Sequence, residues 1–201
     1  LPILDCFLFN LESGILSITA SDNETTLETS LPVVEHDGDG RFAIGSKNIL
    51  DAIKELPEQP IVFNVNESNV AVTIEYMNGK FSMVGQQADE YPTPALLGEA
   101  PVSFSMPAAT LFDGINRTIF ATADDELRPV MNGIYFDITT EYVTLVSSDG
   151  HKLVRNKLLA AKGEEKAAFI LPKKPANLLK GLLGKEADDI NISFDSRNAV
   201  F

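Results

Sequence analysis

The sequence predicts an α+β protein in which one domain plan is used twice, and three observations carry that reading. Short segments alternate apolar and polar residues between turn sequences, which marks half-buried antiparallel sheet. One stripe of helical period sits between the strands of each half. The chain also matches itself: Phe9-Asn10-Leu11 through Ser21-Asp22 lies over Phe136-Asp137-Ile138 through Ser148-Asp149 at an offset of 127 without a gap. Pro2 falls on Pro129 at the same offset. Further on, Ile44 matches Ile170, Lys47 matches Lys173, Lys54 matches Lys180 and Leu56 matches Leu182 at offset 126, and Asn69 matches Asn198 at offset 129.

In chain order, Ile15-Leu16-Ser17-Ile18-Thr19 and Ile61-Val62-Phe63-Asn64-Val65 read as strands of the first copy. Turns fall at His36-Asp37-Gly38-Asp39-Gly40, Glu67-Ser68-Asn69 and Asn78-Gly79. Between these strands Ser46 is the expected N-cap of a helix whose stripe is Ile49, Leu50, Ile53 and Leu56, ended by Pro57. Ala88 to Pro101 holds three prolines and no periodicity, so it reads as an interdomain connection and divides the chain into 1–98 and 99–201. The second copy opens with a helix from Pro107 to about Thr122, where Leu111, Ile115 and Ile119 recur every four residues. Strands follow at Val143-Thr144-Leu145-Val146 and Ile190-Asn191-Ile192-Ser193-Phe194, with a turn at Ser196-Arg197-Asn198. The helix between them has Pro175 in its first turn and a stripe of Leu178, Leu179, Leu182 and Leu183 before Gly184. The Pro107 helix has no counterpart downstream of Leu1, and copy two stops inside a strand, so the chain is expected to be part of a longer protein.

Composition bounds the function. The 201 residues carry 16 Lys+Arg against 29 Asp+Glu, a formal net charge of -13, with 44% apolar residues. That apolar content excludes a disordered acidic tail, and no apolar run approaches the roughly 18 residues that span a bilayer. The first residues lack a signal-peptide pattern, so the expectation is a soluble, non-secreted protein without a membrane partner. Cys6 is the lone cysteine, which excludes an intrachain disulfide and a cysteine-based zinc site. On average charge a nucleic-acid partner is disfavoured. The charge is uneven, however: residues 1–94 hold four basic residues (Arg41, Lys47, Lys54, Lys80) against fifteen acidic ones, and residues 95–201 hold twelve against fourteen.

Little in the chain asks for catalysis, a metal or a cofactor. His36 and His151 lie in turn sequences without a second ligand at metal spacing. Asp37-Gly38-Asp39-Gly40 lacks the further carboxylates of a calcium loop. No phosphate-binding glycine loop, nucleophile elbow or Cys-His pair is present. Asp124-Asp125-Glu126 would serve an enzyme only if its carboxylates converged, and at a helix end such a run is ordinarily solvated. The lysines are more informative. Lys47 and Lys54 are seven residues apart, about two helical turns, on the face opposite the apolar stripe. Lys173 and Lys180 repeat the spacing, with Lys174 adjacent. Pairing with Asp51 is one explanation for the first set, but Asn177 takes its place in the second, which favours a cationic stripe facing a polyanion.

The segments Leu1-Pro2-Ile3-Leu4, Leu16 to Asp22, Met131-Asn132-Gly133-Ile134-Tyr135-Phe136 and Val146-Ser147-Ser148-Asp149-Gly150-His151-Lys152-Leu153 resemble the bacterial DNA polymerase III beta subunit, the replicative sliding clamp. The resemblance covers the whole chain. It implies the DNA-clamp fold, in which three copies of one domain form a protomer and two protomers close head to tail around duplex DNA, with helices lining the hole and sheets forming the outer wall. Residues 1–98 would then be domain one without its first strand and helix, 99–201 a truncated domain two, and domain three absent. Lys47, Lys54, Lys173, Lys174 and Lys180 would lie on or near the DNA-facing helices, with Arg117 and Arg128 as additional contacts. Ser148, Gly150, His151, Lys152 and Leu153, with Met131 at another wall position, would form part of the cleft that takes short peptide motifs of the replicative polymerase alpha subunit, the clamp loader and repair polymerases, the other wall belonging to domain three. Ser148, Lys152 and Met131 stand where other members commonly carry Thr, Arg and Leu, which bears on motif preference. Phe81 and Met83 match the edge strand that meets domain three of the other protomer in the full-length homodimer. The implied function is a non-enzymatic processivity factor with no cofactor or metal, cytoplasmic and nucleoid-associated. Two readings compete with it: an enzyme built on Asp124-Asp125-Glu126, and a repeat-built interaction module with no DNA role.

Overall fold

The computed structural model describes residues 2–201 and divides the chain into two compact units, Leu1–Pro94 and Ala95–Phe201. In unit 1 a 3-10 turn over Pro2–Asp5 leads into β1 (Cys6–Glu12), β2 (Ile15–Ser21), β3 (Thr26–Pro32), β4 (Gly40–Gly45), α1 (Ser46–Lys54), β5 (Val62–Asn66), β6 (Ala71–Tyr76), β7 (Gly79–Val84) and β8 (Gln86–Gln87). They form two antiparallel sheets, ordered β3-β2-β1-β4-β8 and β5-β6-β7. Glu12 pairs with Ile15, so β1 and β2 are joined by Ser13-Gly14 alone, with φ of 50° and 80°. Those left-handed dihedrals match the twist of the strands, and glycine takes the second without strain.

Each face of the larger sheet has a separate core. Phe9 and Ile44 turn to one side, where Ile49 of α1 and Val72 and Ile74 of β6 close over them. Cys6, Leu8 and Ala43 turn to the other, covered by Ile3, Ala88 and Tyr91. The Tyr91 hydroxyl donates to the carbonyl oxygens of Cys6 (3.2 Å) and Thr19 (3.1 Å). Burial pushes the Tyr91 phenol and the Cys6 thiol up from their ordinary values, so both stay neutral. The start of the proline-rich segment is therefore packed into unit 1, since a buried Tyr satisfies its hydroxyl there.

Unit 2 comprises β9 (Val102–Pro107), α2 (Ala108–Thr118) with a 3-10 extension over Ile119–Ala121, a 3-10 turn over Pro129–Met131, β10 (Gly133–Ile138), β11 (Val143–Ser148), β12 (Leu153–Leu158), β13 (Ala167–Pro172), α3 (Lys173–Leu183), β14 (Asp189–Phe194) and β15 (Ala199–Val200). The sheets are β12-β11-β10-β13 and β15-β14-β9. One continuous core joins them, with Leu111 and Ile115 of α2 packed on Phe136, Leu145 and Ile192. Gly114 lets α2 lie close to the sheet, because a Cβ there would come within 3.0 Å of Leu145 and 3.1 Å of Leu158. Phe169 stacks on Phe136 at 4.6 Å and contacts Phe194 at 4.5 Å, tying the two sheets together.

The ladders correct part of the repeat alignment. Phe7 pairs with Ile44, and Ile134 pairs with Leu171, so the offset stays at 127 through β4 and β13. Ile44 thus corresponds to buried Leu171, whereas Ile170 is 39% exposed on the opposite face. A slip of one residue in a strand exchanges faces, so the 126 match cannot be the structural one. The helices follow suit: Ser46 and Lys173 are each the first helical residue, Lys47 and Lys174 the second. Ser46 is therefore not the N-cap; Gly45 is, and the Ser46 hydroxyl donates to Asp5 O at 2.7 Å. On α3 buried Ala176 and Leu183 and partly buried Leu179 pack on the core, while Leu178 and Leu182 stay about half exposed at 52% and 48%. Four leucines span more arc than one packed face offers, so one pair is left outside.

Candidate nucleic-acid interface and partner cleft

Lys47 and Lys54 project from α1 on the side away from Ile49, both exposed. Neither forms an ion pair within the described residues, so the local pairing with Asp51 that the spacing allows is not made. The cations of α3 are more tethered. Lys173 Nζ lies 2.5 Å from Asp124 Oδ2, and Lys180 Nζ donates to Asn116 Oδ1 of α2 at 3.2 Å. Lys174 is exposed and borders, with Lys173, Asn177 and Leu178, a groove at the start of α3. Because the helices align at offset 127, Lys54 falls on Gly181, and Lys180 is one residue, about 100°, away from the matching direction. Lys47 and Lys174 are the pair that coincide. Arg117 is on exposed α2 surface, 3.4 Å from Asp113 one turn earlier.

Arg128 goes elsewhere. Its Nε is 2.7 Å from Asp125 Oδ2, and the guanidinium lies against Gly150, where an added Cβ would sit 3.0 Å from Arg128 Nη1. Asn132 anchors this loop, accepting from Asp125 N and donating to Asp125 O, each at 3.0 Å. The Arg128 bond holds the Asp125 carboxyl below its usual range.

The Ser148 to Leu153 segment is a closed turn. Ser148 Oγ accepts from Gly150 N at 3.1 Å and donates to Lys152 O at 2.8 Å. Asp149 Oδ1 accepts from the backbone N–H groups of His151 and Lys152, each at 2.9 Å, and Oδ2 pairs with Lys152 Nζ. The Lys152 ammonium first, then these two N–H groups, hold Asp149 far below the usual carboxylate range. Gly150 sits at φ 89°, a conformation that glycine takes without cost. With its amides bonded internally, the turn presents side chains: His151 is exposed, and Leu153, first in edge strand β12, is 68% exposed. Met131 is half-buried in the Pro129–Met131 turn. Phe81 and Met83 are on β7, the edge of the three-stranded sheet, but both pack inward against the core, so the edge offers backbone rather than these side chains.

Sequence reasoning missed Asp149, Asp125, Asn132 and Asp124 as the residues that set this geometry. Asp149 in Ser-Asp-Gly had a usable signal, since Asp before Gly commonly bonds the amides two residues on; Asp125 and Asn132 bond within one loop that has no repeating pattern, and Asp124 acts through Lys173, 49 residues away.

Two family descriptions fit the chain end to end: the DNA polymerase III beta subunit, N-terminal domain, matches residues 1–96, and the DNA polymerase III beta subunit, central domain, matches residues 105–201. The chain belongs to the DNA polymerase III beta subunit family. Among curated beta subunits it is 29% identical over 211 residues to the Beta sliding clamp of Halalkalibacterium halodurans, covering the whole chain and 55% of that protein. It is 25% identical over 206 residues to the Beta sliding clamp of Synechococcus elongatus, covering 54% of it. The chain thus spans about half the length of the curated beta subunits it matches. Among solved structures, the Thermotoga maritima beta subunit superposes with a TM-score of 0.83 at 29% identity, over 98% of this chain and 53% of that one. A Pseudomonas aeruginosa sliding clamp solved with ligand gives 0.90 at 25% identity, over 98% and 53%. The α+β architecture expected from the sequence is that of the beta subunits.

Proposed function

We propose that this chain supplies domains one and two of a sliding clamp, a non-catalytic processivity factor that encircles duplex DNA and tethers the replicative polymerase. The observation that carries the reading is the doubled plan itself: α1 and α3 occupy the same place in two repeats, and each presents an exposed lysine at its second residue, Lys47 and Lys174. Lysines on helices contact phosphates without reading bases, which gives weak, sequence-independent and salt-sensitive binding suited to sliding. Lys54, Lys180 and Arg117 belong to the same helices, and Lys173 opens α3. Arg128 is better placed for the peptide cleft, beside Gly150.

In the cleft, Met131, Ser148, Gly150, His151, Lys152 and Leu153 receive short apolar motifs of the polymerase alpha subunit, clamp loader and repair polymerases, with exposed Leu153 as the apolar contact. The β7 edge carrying Phe81 and Met83 extends a sheet into the partner protomer of the full-length homodimer, because an unpaired edge offers a row of backbone donors and acceptors. No described helix is long and apolar enough to cross a membrane; the proposed location is the cytoplasm, at the nucleoid.

Two experiments test this. Lys47→Glu with Lys54→Glu in the full-length ring lowers retention on nicked circular DNA; unchanged retention refutes the DNA face. His151→Ala or Leu153→Ala weakens binding of a polymerase C-terminal peptide, and unaltered affinity refutes the cleft. Asp124 and Asp125 each turn to a different cation, Lys173 and Arg128, an arrangement that favours the clamp over a site of converging carboxylates.

A further inference from the structure

Three of the four ion pairs among the described residues close a single turn, at i,i+3 or i,i+4. The fourth, Asp124 to Lys173, joins positions 49 residues apart. Its carboxylate is aimed by the backbone on both sides. Ala123 N donates to Met131 O at 2.8 Å, and Asp125 N donates to Asn132 Oδ1 at 3.0 Å. Lys173 is fixed as well, its N–H bonding Asn132 O at 2.8 Å. The result is an Asp124 side chain 80% exposed to solvent resting on a Lys173 side chain 34% exposed, beside Lys174 at the start of α3. A carboxylate oxygen on a lysine ammonium makes the same charge-assisted contact that a phosphate oxygen makes. Lys47 and Lys54 of α1 carry no such partner within the described residues.

We propose that Asp124 is a built-in counter-ion that occupies Lys173 in place of a DNA phosphate and so limits how tightly the α3 face grips the duplex. This rests on the DNA-facing reading of α1 and α3. Neutralising Asp124 then releases a cation, and each additional lysine that neutralises a phosphate steepens the dependence of log affinity on log salt by about 0.9. The direction is the opposite of what loss of a structural ion pair produces, which is weaker binding or none.

The test uses the full-length protein and a fluorescein-labelled linear duplex, with affinity read by anisotropy across a salt series. Asp124→Asn and Asp124→Ser each tighten binding several-fold at low salt and steepen the slope by about 0.9. Asp124→Asn/Lys173→Gln loses the gain, because the released cation is gone. Unchanged or weaker binding by both Asp124 variants overturns the proposal. So does a gain that survives in the double variant, since it then reflects loss of a negative charge anywhere nearby. Lys47→Glu/Lys54→Glu in the same assay separates the two claims. If it weakens binding while the Asp124 variants do nothing, the counter-ion fails alone; if it has no effect, the DNA-facing reading fails and the counter-ion with it.

Discussion

The larger sheet of unit 1 is covered on both faces, and its equivalent in unit 2 on one. In unit 1 the residues Cys6, Leu8 and Ala43 lie buried beneath Ala88 and Tyr91. At the same ladder positions unit 2 has Gly133, Tyr135 and Ile170, and the latter two side chains are 42% and 39% exposed. On the other face the order reverses: unit 2 lays α2 and α3 together over one continuous core, whereas unit 1 has α1. Register is common to both units, yet which positions are core depends on what is laid over them. The polar contacts follow the same rule. Packing α2 beside α3 brings Asn116 to Lys180, and the loop after α2 brings Asp124 to Lys173, while the lysines of α1 make no ion pair among the described residues.

The sharpest way to break that comparison is to truncate the same ladder position twice. Leu8→Ala is expected to cost about 3 kcal/mol by leaving a cavity under the Tyr91 cover, and Tyr135→Ala less than about 1 kcal/mol, because half of its side chain is already in water. Equal losses in urea unfolding of the 201-residue chain would show that the cover makes no difference. Gly150→Ala comes next. It forces a Cβ into a left-handed conformation at φ 89° and toward Arg128, at a cost of about 1–2 kcal/mol. Its signature is weaker peptide binding, relieved in part by Arg128→Ala, and no relief would mean that backbone strain acts alone. Tyr91→Phe keeps the ring and removes a hydroxyl that donates to Cys6 and Thr19, so about 1 kcal/mol is lost. Hydrogen exchange should locate that loss in β1 and β2; faster exchange confined to unit 2 would contradict it.

The smallest expected effect concerns pH. Asp149 has a depressed folded pKa, so its contribution is fully present above the unfolded carboxylate value of about 3.9 and is lost only as pH falls through the lower folded value. The Ser148 to Leu153 turn should therefore keep the same amide chemical shifts from pH 8 to 5. Asp149→Asn should alter them at every pH in that window by removing the ion pair with Lys152. Movement of the Gly150 or Lys152 amide resonances within that window would break the assignment.

Much of the fold was legible because it is written in local pattern. Alternation placed β2, β5, β11 and β14, the Asn78-Gly79 signal fell at the β6–β7 hairpin, whose loop is Met77-Asn78, and the offset of 127 carried the repeat through the first strands, since a strand register tolerates no slip where one face is buried. The Ser148 to Leu153 turn carries a local signal, since Ser-Asp-Gly bonds within six residues. Other features were not. The match of Ile44 with Ile170 follows identity rather than face, and only the ladder shows Leu171 as the partner. Leu178 and Leu182 read as core until Ala176, Leu179 and Leu183 take the packed side of α3.

What the sequence determined by itself is the repeated α+β plan and the lysines carried by α1 and α3, because periodicity and turn chemistry act between neighbours. What the tertiary structure decided is that Lys173 meets Asp124 and Lys180 meets Asn116, and which sheet face is covered. Asp124 reaches Lys173, and Tyr91 reaches Cys6 and Thr19, across 49, 85 and 72 residues. Contacts at such separations come from how the elements pack, and no local pattern encodes them.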